Sequence, residues 1–438
     1  MKTVRFYTLG CKVNQYETQA IREQFLQAGF QEPGDSMPVG VCVINTCTVT
    51  QRADSSSLYL IRQANRQNPH AQIVVTGCLT QFDTDKIAGI PGISLIVKNK
   101  DKGRIVSLLN TPAVHQVSSA WGKTGITHFK NHSRAFLKIQ DGCNYKCSYC
   151  KVRIVRGESR SRQLNEIRDE VITLVRNGYK EIVLSGICLG SYGKDLIPRL
   201  SLRRLIEELE GVEASFRIRL SSIEANDVTD ELLHKMSISS RLCRHIHIPV
   251  QSGDEQVLKR MNRTYSPEQY IKLIERIKRY IPEIAITTDV MVGFPGETEA
   301  GFQNTIKLIK AVEPLRIHIF PYSRRLNTPA YNLGEPVSQE KVKSRTAILQ
   351  KINQDLRVAY CQRFISRVSQ VLLERQASGC PNLWEGYTDN YIKVRLESAL
   401  RLKNRVIPAR LSRIYRDFVL ADIAPESGGF FRKSLTVN

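Results

Sequence analysis

Residues 135–162, AFLKIQDGCNYKCSYCKVRIVRGESRSR, decide the reading of this chain. An apolar run, AFLKIQ (135–140), leads into Cys143, Cys147 and Cys150, spaced C-x3-C-x2-C. Three thiolates so close together cannot all pair as disulfides, but they can share one polynuclear metal site. A [4Fe-4S] cube held by three cysteines keeps one iron without a protein ligand, and an open iron can bind and reduce a cofactor. The spacing differs from the common zinc and ferredoxin patterns. A zinc-binding module is the alternative.

Downstream the strand-helix alternation continues. EIVLSG (181–186), FRIRLSS (216–222), RHIHIPV (244–250), IAITTDVMVGF (284–294) and RIHIFPY (316–322) read as strands. Helical patterns near 164–177, 199–210, 229–237, 267–280 and 298–312 separate them. The expectation is about six βα units, a partial barrel with its site at the C-terminal strand ends.

Upstream the pattern is similar. VRFYTLG (4–10), VCVIN (41–45), QIVVTG (72–77) and ISLIVKN (93–99) are apolar runs between helical stretches, which predicts a parallel sheet covered on both faces. Cys11, Cys47 and Cys78 each fall just past one of these strands. Open α/β sheets build ligand sites along that edge, so the three cysteines are expected to converge on a second metal site; three unrelated buried cysteines are the alternative. Residues 111–133 lack periodicity and read as a linker.

After a helical stretch at 339–363 the pattern changes to short strands, a small β-barrel candidate at 367–423. Lys393, Arg395, Arg401, Lys403, Arg405, Arg410, Arg413 and Arg416 make it basic. Trp384, Tyr387 and Tyr391 are candidates to stack bases, although each taken singly reads as core.

The whole chain of 438 residues carries 64 basic and 42 acidic side chains, a net charge of +22. That excess points to a polyanionic partner, nucleic acid first; a merely basic enzyme is the other reading. No run of about 18 apolar residues exists, so no membrane span is expected. MKTVRFYTLGC has no signal-peptide core. Eleven cysteines without such a signal imply a reducing cytoplasm, with thiols as ligands or free.

The C-x3-C-x2-C loop, with Tyr149 before its last cysteine, resembles the radical S-adenosylmethionine superfamily signature. YTLGCKVNQYET, NTCTVT, TGC, LSGICLGSYGKD, RLSSIE, HIPVQSGDEQVLKRMNRTYS and TTDVMVGFPGETEAGF extend the resemblance to the methylthiotransferases over nearly the whole chain. The fold implied is an N-terminal parallel α/β sheet domain (1–125), a central radical-SAM partial (β/α)6 barrel (133–363) and a C-terminal small antiparallel, TRAM-like β-barrel (366–425). The cofactors implied are two [4Fe-4S] clusters and S-adenosyl-L-methionine: Cys143, Cys147 and Cys150 would hold the cluster that binds S-adenosylmethionine, and Cys11, Cys47 and Cys78 the second, which handles the inserted sulfur. An external electron donor and a sulfur source are implied as partners.

GCKVNQYET resembles the branch that acts on threonylcarbamoyl-adenosine beside the anticodon of tRNA, rather than those acting on isopentenyl-adenosine (GCQMN-like) or on an aspartate of a ribosomal protein (GCPKN-like). A non-catalytic tRNA-binding iron-sulfur protein is the rival of a different class. Loops after the strands are expected to hold S-adenosylmethionine through Ser185, Gly186, Ser221, Glu224, Gln251, Gly293 and Gly296, the glycines allowing close backbone approach.

In the basic run KVRIVRGESRSR, with Lys151, Arg153 and Arg162, Arg156 and Arg160 are the candidates to contact RNA phosphate or the substrate's carboxylate. Cys42, Cys188, Cys243, Cys361 and Cys380 read as structural, with Cys188 set apart by a loop expected to face the site. His245, His247 and His318 read as satisfied barrel residues. Two departures from the family pattern stand out: Arg153 replaces a usual proline, and YSRRLNTPA (322–330) replaces a YSPRPGTPA-like segment.

Overall fold

A computed structural model describes residues 2–34, 37–110 and 125–425. The N-terminal sheet is parallel, in the order β1 (Val4–Thr8), β2 (Val41–Thr46), β3 (Gln72–Gly77), β4 (Ile93–Val97). Strand β2 is buried at every position because alternate side chains enter two separate cores. Cys42 and Ile44 meet Ile61 and Ala64 of helix Gln51–Gln67, while Val41 and Val43 meet Ile21 and Phe25 of helix Lys12–Gln27. Two covered faces explain why these strands read as unbroken apolar runs.

Six further strands form the central unit: β5 (Ala135–Lys138), β8 (Glu181–Ser185), β9 (Arg217–Leu220), β10 (His245–His247), β11 (Ala285–Val292) and β12 (Arg316–Pro321). They lie parallel in that order, with bridges Ile218–Leu242 and Ser222–His247 joining the two three-stranded halves. The short strands β6 (Gln140–Asp141) and β7 (Arg160–Ser161) pair antiparallel and pinch off the cysteine loop. Gly142 at its neck has φ +71°, and a Cβ there would lie 1.9 Å from the Glu158 carbonyl oxygen, so only glycine fits.

The C-terminal barrel closes in the order β13 (Val368–Ala377), β14 (Cys380–Thr388), β15 (Lys393–Glu397), β17 (Val419–Ile423), β16 (Val406–Ile414). All pairs are antiparallel except β15 with β17. A closed ring of five strands requires at least one parallel pair, because alternation cannot close on an odd number. The barrel docks at the N-terminal ends of the central strands. There Glu181, fully buried, binds Arg217 and Arg219, whose guanidinium groups also donate to the carbonyls of Tyr387, Thr388 and Asp389.

The N-terminal unit closes the open side of the partial barrel. On the β5 side, the buried Glu17 of helix Lys12–Gln27 accepts from Lys102, from Lys138 (3.0 Å) and from Arg156 (2.9 Å). On the β12 side, Arg325 donates to the Thr48 carbonyl (3.1 Å) and pairs with Asp54, and Gln51 N–H donates to Ser323 Oγ (2.9 Å). Of the expected linker, residues 111–124 lie outside the described residues. Residues 125–133 are a packed strap: Ile126 and Phe129 are buried, and the Thr127 and His128 N–H groups donate to Glu23.

Burial alone would raise the Glu17 carboxyl, but Arg156, Lys102 and Lys138 hold it well below the usual carboxylate range. Its stabilising contribution is therefore present above the ordinary carboxylate pKa and is lost as pH falls through the depressed one. Glu17→Gln leaves buried cations facing a neutral amide and is expected to cost about 3–5 kcal/mol, read as a lower urea midpoint at pH 7. The gap between variant and wild type is expected to narrow as acid protonates Glu17.

Candidate active site

Each of the three N-terminal cysteines follows a strand end. Cys11 caps helix Lys12–Gln27, Cys47 follows β2, and Cys78 starts the turn Leu79–Gln81. All three open onto one cavity of about 340 Å³, together with Val152, Val155 and Arg156 from beyond the second cysteine group and Ser185, Gly186 and Ser221 from the barrel loops. The cavity continues down the barrel lumen past His245, His247, Asp289 and His318 to Tyr391, which the C-terminal barrel inserts as a floor. Tyr391 stacks on Tyr387 and lies 4.5 Å from the His245 ring, centre to centre. Burial pushes the Cys47 thiol to about 11 and raises Cys78 as well; in Cys78, Arg156 and Lys102 oppose the rise.

The second group is organised by residues that local sequence does not flag. Gln140 is fully buried; its amide donates to the Asp141 and Gly142 carbonyls and to Ser159 Oγ, and its oxygen accepts from Cys188 N–H at 2.8 Å. Arg263, buried, pairs with Glu224 and donates to Cys147 Sγ at 3.3 Å. Val152 N–H donates to Cys150 Sγ at 3.4 Å. Cys188 is not merely structural: a hydrogen bond from it holds the Cys143 thiol below its ordinary value, and its own sulfur faces Ser191 and Asp227. Donors aimed at sulfur suit thiolate ligands.

Among the residues expected to hold S-adenosylmethionine, Ser185, Gly186 and Ser221 line the cavity, and Ser221 Oγ is buried without a hydrogen-bond partner among the described residues. Glu224 stands behind Cys147 through Arg263. Gln251 has φ +67° and extends β11 by a bridge to Val290. Gly293 and Gly296 do not line the cavity. Both have φ +83°, and a Cβ on Gly293 would lie 2.5 Å from Val342, so backbone conformation and packing already favour glycine there.

Arg156 corrects the expectation of an RNA contact. Its guanidinium is buried and donates to Glu17, Asp141 and Asn14, because the turn Val152–Arg156 rotates it inward. Arg160 is exposed on β7. Trp384 is core, and Tyr387 and Tyr391 face the central unit rather than an outer surface. The lumen histidines bond within the barrel, His245 and His247 to Thr287 and His247 also to Asp289 (3.2 Å); burial holds His318 at about 4. Both departures are absorbed locally. Arg153 occupies the first turn of a short helix, where proline is tolerated but not required. Asn327 takes φ +65° at the usual glycine position, a conformation asparagine tolerates.

Two family profiles match: "Radical SAM superfamily" over residues 137–309 and "Uncharacterized protein family UPF0004" over residues 3–98. The chain is 38% identical to the threonylcarbamoyladenosine tRNA methylthiotransferase MtaB of Bacillus subtilis, over 94% of both chains. It is 37% identical to that of Thermotoga maritima, over 90% of this chain and 91% of the relative. It is 34% identical to the tRNA-2-methylthio-N(6)-dimethylallyladenosine synthase of Clostridium tetani, over 87% of both. In fold it is similar to the radical S-adenosylmethionine methyltransferase TsrM of Kitasatospora setae, with a TM-score of 0.56 at 15% identity, covering 75% of this chain and 77% of that one.

These matches define a radical enzyme built on a partial barrel. The chain belongs to the radical S-adenosylmethionine methylthiotransferase family. Its cofactors are [4Fe-4S] clusters, two in this family, and S-adenosylmethionine.

The residues fit these groups. All six cysteines are free thiols, grouped in two sets with sulfur-directed donors at the second. Alanine at Cys11, Cys47 and Cys78 is expected to lower reconstituted iron from about eight to about four per chain, measured by iron and sulfide analysis. Arg263→Met removes a positive donor from Cys147 and is expected to make that cluster's reduction potential more negative, measured by EPR-monitored redox titration.

Proposed function

We infer that the enzyme inserts a methylthio group at C2 of N6-L-threonylcarbamoyladenosine, the modified adenosine next to the anticodon of tRNA, consuming two S-adenosylmethionine. The observation that carries this reading is the shared cavity, lined both by Cys11, Cys47 and Cys78 and by Ser185, Gly186 and Ser221 from the loops that follow the barrel strands. Two full-length relatives, at 38% and 37% identity, are named threonylcarbamoyladenosine tRNA methylthiotransferase.

When bound, the clusters and S-adenosylmethionine supply the radical and the methylated sulfur that an inert aryl C–H bond requires. Cys143, Cys147 and Cys150 would hold the cluster that binds S-adenosylmethionine, with Arg263 donating to the Cys147 sulfur and Cys188 to the Cys143 sulfur. Cys11, Cys47 and Cys78, which line the cavity, would hold the other cluster. The low His318 pKa keeps that imidazole neutral at pH 7. Electrons and sulfur come from outside the chain.

Three units divide the work: 1–125, 133–363 and 366–425. The exposed Arg401, Lys403, Arg405, Arg410, Arg413 and Arg416 of the C-terminal barrel, with Arg160 at the mouth of the cysteine loop, grip the RNA backbone. The reaction belongs to the cytoplasm, in keeping with eleven unpaired thiols; among the described residues no helix is long and apolar enough to cross a membrane.

Deleting the gene is expected to remove the methylthio form of threonylcarbamoyl-adenosine from tRNA hydrolysates and leave its precursor, read by nucleoside mass spectrometry; an unchanged pool overturns the reading. Arg160→Ala is expected to weaken tRNA binding and to lower the slope of log affinity against log salt by about 1.

A further inference from the structure

The lumen has an excess of cations. Lys12, Arg134, Lys151, Arg156 and Arg219 line the cavity, against one carboxylate, Asp289. The three arginines are neutralised from behind the wall: Arg134 by Glu374 (2.6 Å), Arg156 by Glu17 and Asp141 (2.9 Å each), Arg219 by Glu181 (2.7 Å). Lys151 is buried with its ammonium over the Phe82 ring. Asp289 is engaged by His247. Lys12 differs from all of these. It is exposed, it follows Cys11 directly, and among the described residues no carboxylate pairs with its ammonium, which lies 6.0 Å from the centre of the Phe136 ring. Its charge reaches into the lumen, where it acts on Tyr391 and His318.

We propose that Lys12 is a specificity-determining residue whose ammonium receives the carboxylate of the substrate's threonylcarbamoyl group. The proposal rests on the substrate reading above and deepens it. A solvated cation unpaired by the protein supplies no net attraction to an uncharged adenosine substituent. It forms a charge-assisted hydrogen bond with a carboxylate, and that bond strengthens as the base fills the cavity and displaces water. The position beside Cys11 places recognition of the side group on the wall that carries the sulfur chemistry, so the group's charge orients the base in the lumen.

The test uses the reconstituted full chain and two anticodon stem-loop RNAs. One carries threonylcarbamoyl-adenosine; the other carries the same nucleoside with its carboxylate converted to the primary amide. The wild type is expected to bind the carboxylate form roughly 10-fold more tightly, the size of one partly desolvated charge pair. Lys12→Gln is expected to bind both forms as the wild type binds the amide, and Lys12→Arg to keep the preference. Iron content is measured on each variant. If Lys12→Gln loses iron, the comparison of Lys12→Arg with Lys12→Met at equal iron decides the matter. A preference retained without a cation at position 12, or absent in the wild type, overturns the proposal. The substrate reading stands or falls separately on the nucleoside pools: a pool that depends on the gene, with a preference that does not depend on Lys12, removes only the role of Lys12.

Discussion

Everything at the site depends on one buried carboxylate. Glu17 lies between the N-terminal sheet and the central barrel, and three cations from three separate stretches of chain meet it: Lys102 after β4, Lys138 at the end of β5, and Arg156 after the cysteine loop. An isolated charge in such a place would be costly; an ion cluster with complementary hydrogen bonds is tolerated and strongly directional. Asn14 and Asn45 complete it by accepting from Arg156 and Lys102. The result fixes where Cys11, Cys47 and Cys78 face, because they stand on the strand ends that this cluster holds against the barrel.

The same arrangement explains why a six-stranded barrel is enough. Left alone, β5 and β12 would be open edges with unpaired backbone groups and an exposed lumen. The N-terminal unit covers the gap, anchored by Glu17 on one side and by Arg325 with Thr48 and Asp54 on the other. The C-terminal barrel covers the base through Glu181 and its two arginines. Each covering unit also contributes to the cavity, the first its cysteines and Lys12, the second Tyr391.

Most of the architecture was legible in the sequence. Strands buried on both faces, such as VCVIN and QIVVTG, announce themselves as apolar runs, and a cysteine just beyond each run has little freedom in where it lands. Much of what was not legible depends on partners distant in sequence. Arg156 sits in a basic run that looks like a solvated face, and one of its two carboxylate partners, Glu17, lies 139 residues away. Gln140 and Arg263 carry no local pattern, and Tyr391 looks like any aromatic in a small barrel until its left-handed φ of +67° turns it toward the lumen. Gly293 reads ambiguously, since a left-handed glycine looks the same in sequence whether a ligand or, as with Val342 here, a side chain lies above it.

The cavity whose walls begin at Cys11 and whose floor is Tyr391 has a consequence for biosynthesis. A ribosome adding about 5–20 residues per second releases the first cysteine tens of seconds before the tyrosine that completes the chamber. Over that interval the nascent N-terminal unit can form its sheet, but its acidic anchor waits for lysine and arginine partners still to be translated. A chain truncated ahead of that barrel would keep all six cysteines of the two sets but lack the tyrosine that floors the cavity.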